Sequence, residues 1–191
     1  MGFFHRVAIE YCNRRSMNED LVPCYSYGDN GTHPDNWPDG WNDDPNNHFE
    51  ISCNWYTNGY RLPTEMEWMF AALDGNQSQG YTYSGSNTIE DVAWYSSDSS
   101  NHTWDVGLKA ANELGLYDMS GNVWEFCWDI HADYPIEPQT NPTGGTSSGD
   151  RIIRGGCYNS LENYLTVSIR NYDAPNTSDL TFGFRCVRTA P

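Results

Sequence analysis

In "GLYDMSGNVWEF", Asp118 and Glu125 bracket Ser120-Gly121-Asn122, a turn signal whose glycine allows a close backbone approach. A turn of that shape offers two carboxylates and two inward carbonyls to a hard cation at roughly 2.3–2.6 Å. The same carboxylates can instead hydrogen-bond the turn itself. Asp129, His131 and Asp133 in "DIHAD" have the types for metal or acid–base work, yet they read as surface loop. Ser160 follows Gly155-Gly156, but no Gly-x-Ser-x-Gly pattern or histidine surrounds it to activate its hydroxyl. Six cysteines stand at 12, 24, 53, 127, 157 and 186, with no Cys-x-x-Cys and no zinc spacing. Three disulfides and buried free thiols are equally compatible with that count.

The chain around these residues has 191 residues, enough for one domain over residues 1–191 with a core of its own. Ten Lys plus Arg against 26 Asp plus Glu give a net charge of −16, which excludes a nucleic-acid partner and disfavours docking on an anionic membrane. Aromatic residues make up 15% and apolar residues only 38%, so a few large rings must fill the interior beneath long loops. No run of 18 apolar residues exists, so no helix is expected to span a bilayer. The start, "MGFFHRVAIEY", lacks the apolar core of a signal peptide.

Two helices are legible. "RVAIEYCNRRS", from Arg6 to Ser16, puts Ala8, Ile9 and Cys12 on one flank and Val7, Tyr11 and Arg14 on another. In "LPTEMEWMFAALDG", Thr64 and Glu67 form a capping box, and Glu65 suits the positive helix end. There Trp68, Met69 and Ala72 make the apolar stripe, and Gly75 is the stop. Between the helices lies a Gly/Pro/Asn/Asp-rich loop with one short strand over Phe49 to Cys53. Short strands follow in "GYTYSGS", "VAWYSS", "LGLYDMSGNVWEFCWD", "DRIIRGGCY" and "FGFRCVR". The pattern predicts an α+β domain, loop-rich, with helices early and antiparallel strands late.

Three segments carry a family resemblance in order: "YRLPTEMEWMFAA" (60–72), "NELGLYDMSGNVWEFCWD" (112–129) and "RIIRGGCY" with "SIRN" and "GFRCVR" (151–188). Together they resemble the formylglycine-generating enzyme, or sulfatase-modifying factor, family, and "VAIEYCNRRS" resembles its first helical region. The resemblance implies a C-type-lectin-like fold with little regular secondary structure. It also implies a structural calcium held by Asp118, Glu125 and the main-chain oxygens of Gly121 and Val123. The family's oxidase holds copper on two cysteines five apart. The resemblance puts Ser160 and Leu165 at those places, a hard hydroxyl and an aliphatic side chain, so no copper and no oxidase activity are expected. The alternatives are that copper oxidase, or a calcium-dependent sugar-binding lectin. For the lectin, Trp41-Asn42-Asp43 and Glu137-Pro138-Gln139 match the usual triplets in reversed order and too far apart.

The stretch 157–182 is different. Leu165, Val167, Ile169 and Arg170 read as scaffold, with period-two apolar residues on a strand. Around them stand Tyr158, Asn159, Ser160, Leu161, Asn163, Tyr164, Thr166, Ser168, Asn171, Tyr172, Asp173, Asn176, Thr177, Ser178, Asp179, Leu180 and Thr181. Tyrosine gives a large contact area at low entropy cost, and Ser and Asn give adaptable hydrogen bonds, as in a paratope. Trp104 and Tyr95 are candidate neighbours, though core is the simpler reading of each. The placement resembles the variable proteins of diversity-generating retroelements, whose hypervariable C-terminal region runs from an "RIIRGG"-like strand to "GFRCVR". That resemblance, which extends to spirochaete lipoproteins, implies a rigid frame binding a protein or glycan ligand at the cell surface, lipid-anchored as a precursor. A monomer is favoured.

Overall fold

The structure is a computed structural model and describes residues 4–41, 51–145 and 149–189. Helix α1 (Phe4–Asn18) is amphipathic as its periodicity predicts, and the structure buries the flank of Ala8, Ile9 and Cys12 and leaves Val7 and Tyr11 in water. Asn13, fully buried, staples it to strand β1 (Tyr25–Tyr27). Its Nδ2 donates to the carbonyls of Tyr25 and Thr32, and its Oδ1 accepts from the Tyr25 amide. Strand β1 pairs antiparallel with β2 (Ile51–Cys53). Phe49 and Glu50 of the expected strand lie outside the described residues, as do Asn42 and Asp43.

Helix α2 (Glu65–Ala72) starts on the expected capping box: Thr64 Oγ1 accepts from the Glu67 amide, and Glu67 Oε2 accepts from the Thr64 amide at 2.8 Å. It ends before Gly75, because Asp74 already takes a left-handed φ of 67°. Trp68 and Ala72 are buried, while Met69 is only half-buried.

A four-stranded sheet forms the centre, in the order β5 (Arg170–Asp173), β4 (Arg151–Arg154), β3 (Trp124–Ile130), β6 (Phe182–Gly183). The β3–β4 and β4–β5 pairs are antiparallel and β3–β6 is parallel, with a bulge in β3 between Phe126 and Ile130. Side chains alternate across it. Cys127 and Ile152 pack with Trp68 and Met119 on one face, whereas Trp124, Phe126 and Ile153 pack with Phe182 on the other. Both faces being covered explains why all of "RIIR" is buried.

Three strand expectations are corrected. "GYTYSGS" and "VAWYSS" supply only a Tyr83–Ser86 bridge and a helical turn, α3 (Ile89–Val92). Side chains compete there for the backbone: Asn87 Oδ1 accepts from the Thr82 amide, Ser86 Oγ from Thr88 and Asp98 Oδ1 from Tyr95. Leu165 to Ile169 is likewise turns, not strand, although Leu165 and Val167 are buried. "FGFRCVR" keeps β6 and one bridge from Val187 to Arg61. All six cysteines are free thiols, with Cys12 and Cys186 Sγ atoms 3.5 Å apart. Among the described residues no helix is long and apolar enough to cross a membrane.

Candidate ligand-binding face

The segment 158–181 is held by its main chain. Fully buried Arg154 donates to the carbonyls of Val167 (3.0 Å) and Ile169 (2.5 Å). Ser120 Oγ donates to the Leu165 carbonyl at 2.9 Å, and Ser99 Oγ to that of Tyr158 at 2.7 Å. The Val167 amide donates to Thr82 O, the Tyr158 amide to Asn122 O and the Trp124 amide to Thr181 O. Arg170 reaches Glu65 at 2.8 Å, and Tyr134 donates to the same carboxylate at 2.9 Å. Glu65, expected as a favourable charge at the start of α2, is therefore also a buried anchor for β5. Gly156, at a φ of 77°, lets the chain turn beneath this segment, since a Cβ there would lie 2.9 Å from the Tyr164 carbonyl.

The side chains behave differently. Asn159, Leu161, Asn163, Tyr164, Ser168, Tyr172, Ser178, Asp179 and Leu180 are exposed, while Ser160, Thr166, Asn171, Asp173, Asn176, Thr177 and Thr181 are half-buried. Tyr158 alone of the expected set is buried, at 9% exposure. Ten of the seventeen expected residues line one open cleft of about 660 Å³: Tyr158, Asn159, Ser160, Leu161, Tyr164, Asn171, Asp173, Asp179, Leu180 and Thr181. Asn163, Thr166, Ser168, Tyr172, Asn176, Thr177 and Ser178 are not among its lining residues. Trp124, Ile153, Cys157 and Phe182 also line the cleft. Sequence reasoning missed them as site residues, because an apolar strand residue at the bottom of a cleft has the same pattern as one in the core.

Within the cleft the groups are mostly quiet chemically. The Ser160 hydroxyl accepts from the Cys157 amide at 3.1 Å, with the Cys157 thiol at 3.1 Å, so it is tied into its own turn. Asp179 is held below the usual carboxylate range by hydrogen bonds from the Thr181 hydroxyl and amide. Tyr172 stacks on His131 with ring centroids 3.8 Å apart. Tyr95 is buried and Trp104 stacks on Trp94, so neither is an exposed neighbour of the face.

The turn 118–125 faces inward. Gly121 has a φ of 82° and a Cβ there would lie 2.3 Å from the Trp94 carbonyl, so only glycine fits. Glu125 accepts from Trp68 Nε1 at 2.7 Å and from Arg185 at 2.5 and 2.8 Å. Asp118 Oδ2 accepts from the Gly107 amide at 2.8 Å, whereas Oδ1 is buried without a partner among the described residues, and burial raises the carboxyl's pKa. A calcium ion takes six to eight oxygens. Asp118 retains one free oxygen that fits such an ion, but the Glu125 carboxylate is already neutralised by Arg185. The two expected carboxylates therefore do not both serve calcium while that ion pair is closed. Asp129 is also turned inward, accepting from the Glu65 amide at 2.8 Å, and burial pushes its pKa up to about 6. Asp133 stays exposed, and Glu137, Pro138 and Gln139 form exposed loop. Among the described residues no three potential ligands cluster for a metal.

Known proteins share this architecture. A model of the sulfatase-modifying factor enzyme 1-like domain matches residues 5–190. The chaperone protein LppX of Paenibacillus barcinonensis is 39% identical over 95% of this chain and 66% of its own length. The formylglycine-generating enzyme of Streptomyces coelicolor is 31% identical over 69% of this chain and 48% of its own. The chain thus spans two-thirds or less of these curated relatives. The solved structure of Treponema denticola variable protein 1 superposes with a TM-score of 0.84 at 32% identity, covering 97% of this chain and 69% of that one. The α+β fold is C-type-lectin-like, as the resemblance implied. On its motifs, its fold and this match over nearly its whole length, the chain belongs to the sulfatase-modifying factor enzyme 1-like family.

Proposed function

We propose that this chain is a non-enzymatic display module whose side chains at 158–181 form a variable contact surface for a protein or glycan. One observation carries the reading. The segment's backbone is fastened by Arg154, Ser120, Ser99 and Arg170, while ten of its side chains stand exposed. A frame that is already ordered loses little conformational entropy on contact, and side chains that support nothing can change without unfolding it. The likeness to Treponema denticola variable protein 1 supports the same reading. Against an oxidase, Leu165 lies fully buried with Tyr83 and Ile89, and Ser160 is bound into a turn. Neither offers copper a thiolate. Calcium stays in this reading as a structural ion at Asp118, in competition with Arg185 for Glu125. The setting is the cell surface, with a lipid-anchored precursor; digestion of intact cells with an external protease should remove the protein.

The test is a pair of surface-display libraries. Randomising Asn159, Leu161, Asn163, Tyr164, Ser168, Tyr172 and Leu180 together should leave most members folded and yield binders to an arbitrary immobilised protein. Randomising Arg154, Leu165 and Val167 should abolish display. Equal losses in both libraries would overturn the proposal, as would copper-dependent turnover of a cysteine-containing sulfatase peptide. In the genome, a reverse transcriptase beside a near-copy of the codons for residues 157–182, differing at adenines, is the expected neighbour.

A further inference from the structure

The cleft carries charge of one sign. Asp173 and Asp179 line it, and no lysine, arginine or histidine does so among the described residues. Each aspartate commits one oxygen to its own turn. Asp173 Oδ1 accepts from the Ala174 amide and the Thr177 hydroxyl, and Asp179 Oδ1 accepts from the Thr181 amide and hydroxyl. Those bonds shape the loop and leave Oδ2 of each residue without a hydrogen bond or ion pair among the described residues. Trp124, Ile153 and Phe182 give the hollow apolar walls, against which unneutralised carboxylates focus a negative potential.

A second observation points to an occupant. Tyr158 lines the cleft and is nine-tenths buried, yet its hydroxyl has no hydrogen-bond partner among the described residues. The hydroxyl is not sealed from solvent, so it is free to bond a polar group that enters the cleft. Around the same hollow, Leu161 and Leu180 stand 63% and 74% exposed. Large apolar side chains held out beside an acidic hollow complement a base flanked by apolar neighbours. A net charge of −16 adds long-range attraction for such a partner and repels anionic ones.

We propose that the cleft receives a lysine or arginine side chain from a protein partner. The base meets Asp173 and Asp179 Oδ2 and the Tyr158 hydroxyl, its alkyl stem lies on the apolar wall, and its neighbours cover Leu161 and Leu180. This rests on the reading of 158–181 as a contact face and names the class of ligand it takes.

The probe is a heptapeptide selected from a random phage library on the whole chain, then synthesised and measured by fluorescence anisotropy. Selected peptides are expected to carry Lys or Arg, and replacing that base with norleucine should weaken binding about tenfold. Asp173→Asn and Asp179→Asn keep the Oδ1 acceptor, and with it the turn, and should each weaken binding by a similar factor; Tyr158→Phe should do so by about threefold. Added salt should weaken binding further. Peptides indifferent to their base, or to both Asn variants, would overturn the proposal. If such peptides still lose affinity with Leu161→Ser and Leu180→Ser, the contact face stands and only the basic ligand fails. If they ignore all of these variants, the face fails too. A selection yielding no peptide, or tighter binding of a neutral glycan blocked by the same variants, also counts against a basic protein segment.

Discussion

Residues 118–125 and 158–181 are made of similar material, Asp, Asn and Ser beside aromatic rings, and the fold uses them in opposite ways. In the turn, polar side chains point inward. Ser120 holds the Leu165 carbonyl, Asn122 bonds both main-chain groups of Trp104, and Glu125 closes on Trp68 and Arg185. In the C-terminal segment it is the backbone that is bound, and ten side chains stand exposed. Composition does not separate a structural turn from a contact surface; the direction of the hydrogen bonds does. The turn supports the face directly, since Ser120 and the Asn122 carbonyl both grip it.

The contrast breaks most visibly at Arg154. Arg154→Ala leaves two inward carbonyls and a cavity behind, and should cost about 4 kcal/mol in urea unfolding, with loss of any ligand binding. Glu125→Ala strands Arg185 and should cost about 3 kcal/mol, since Arg185 is partly solvated and the loss falls short of a fully buried pair. A loss below about 1 kcal/mol at either position would mean that the inward network is not what fixes the face.

Asp129 offers a pH test. Its folded pKa, about 6, lies above its ordinary value of 3.8, because burial disfavours the anion. Between those values the folded chain binds the proton that the unfolded chain has released, so this group's contribution to stability falls as pH rises from about 4 to 6. Asp129→Asn should gain about 2–3 kcal/mol relative to the parent between pH 4 and pH 7, read from denaturation at both. A parallel pair of pH profiles would refute the buried, proton-bound state.

Calcium sharpens the comparison at lower energy. If Arg185 guards Glu125, calcium should stabilise Arg185→Gln by about 1 kcal/mol more than the parent at one calcium concentration, seen in melts with and without chelator. Smallest of all, Asn163→Ala, Ser168→Ala and Leu180→Ala should each change stability by no more than about 0.5 kcal/mol. A larger loss at any of the three would show that the face carries fold as well as contact.

Much of the frame was legible in the residues. The capping box of Thr64 and Glu67, the amphipathic helix α1 and the strand at "RIIR" all follow from local bonding and periodicity, which act within a few residues. Gly121 was legible as a close-approach position, although Trp94 as its neighbour was not. The strands expected in 80–97 failed because Ser, Asn and Asp side chains captured the backbone locally. The strand expected at Leu165–Ile169 failed because Arg154 took its carbonyls from a neighbouring element.

The amino-acid order alone determined the anionic character, the family motifs and the place where Tyr, Ser and Asn gather, since these reside in single residues and short spacings. Only the tertiary structure decided that Arg185 closes on Glu125, sixty positions away along the chain, and that Asp173 and Asp179 meet Tyr158 around one hollow. Those are contacts between distant segments. They depend on how the sheet brings β3, β4 and β5 together, which no local pattern encodes.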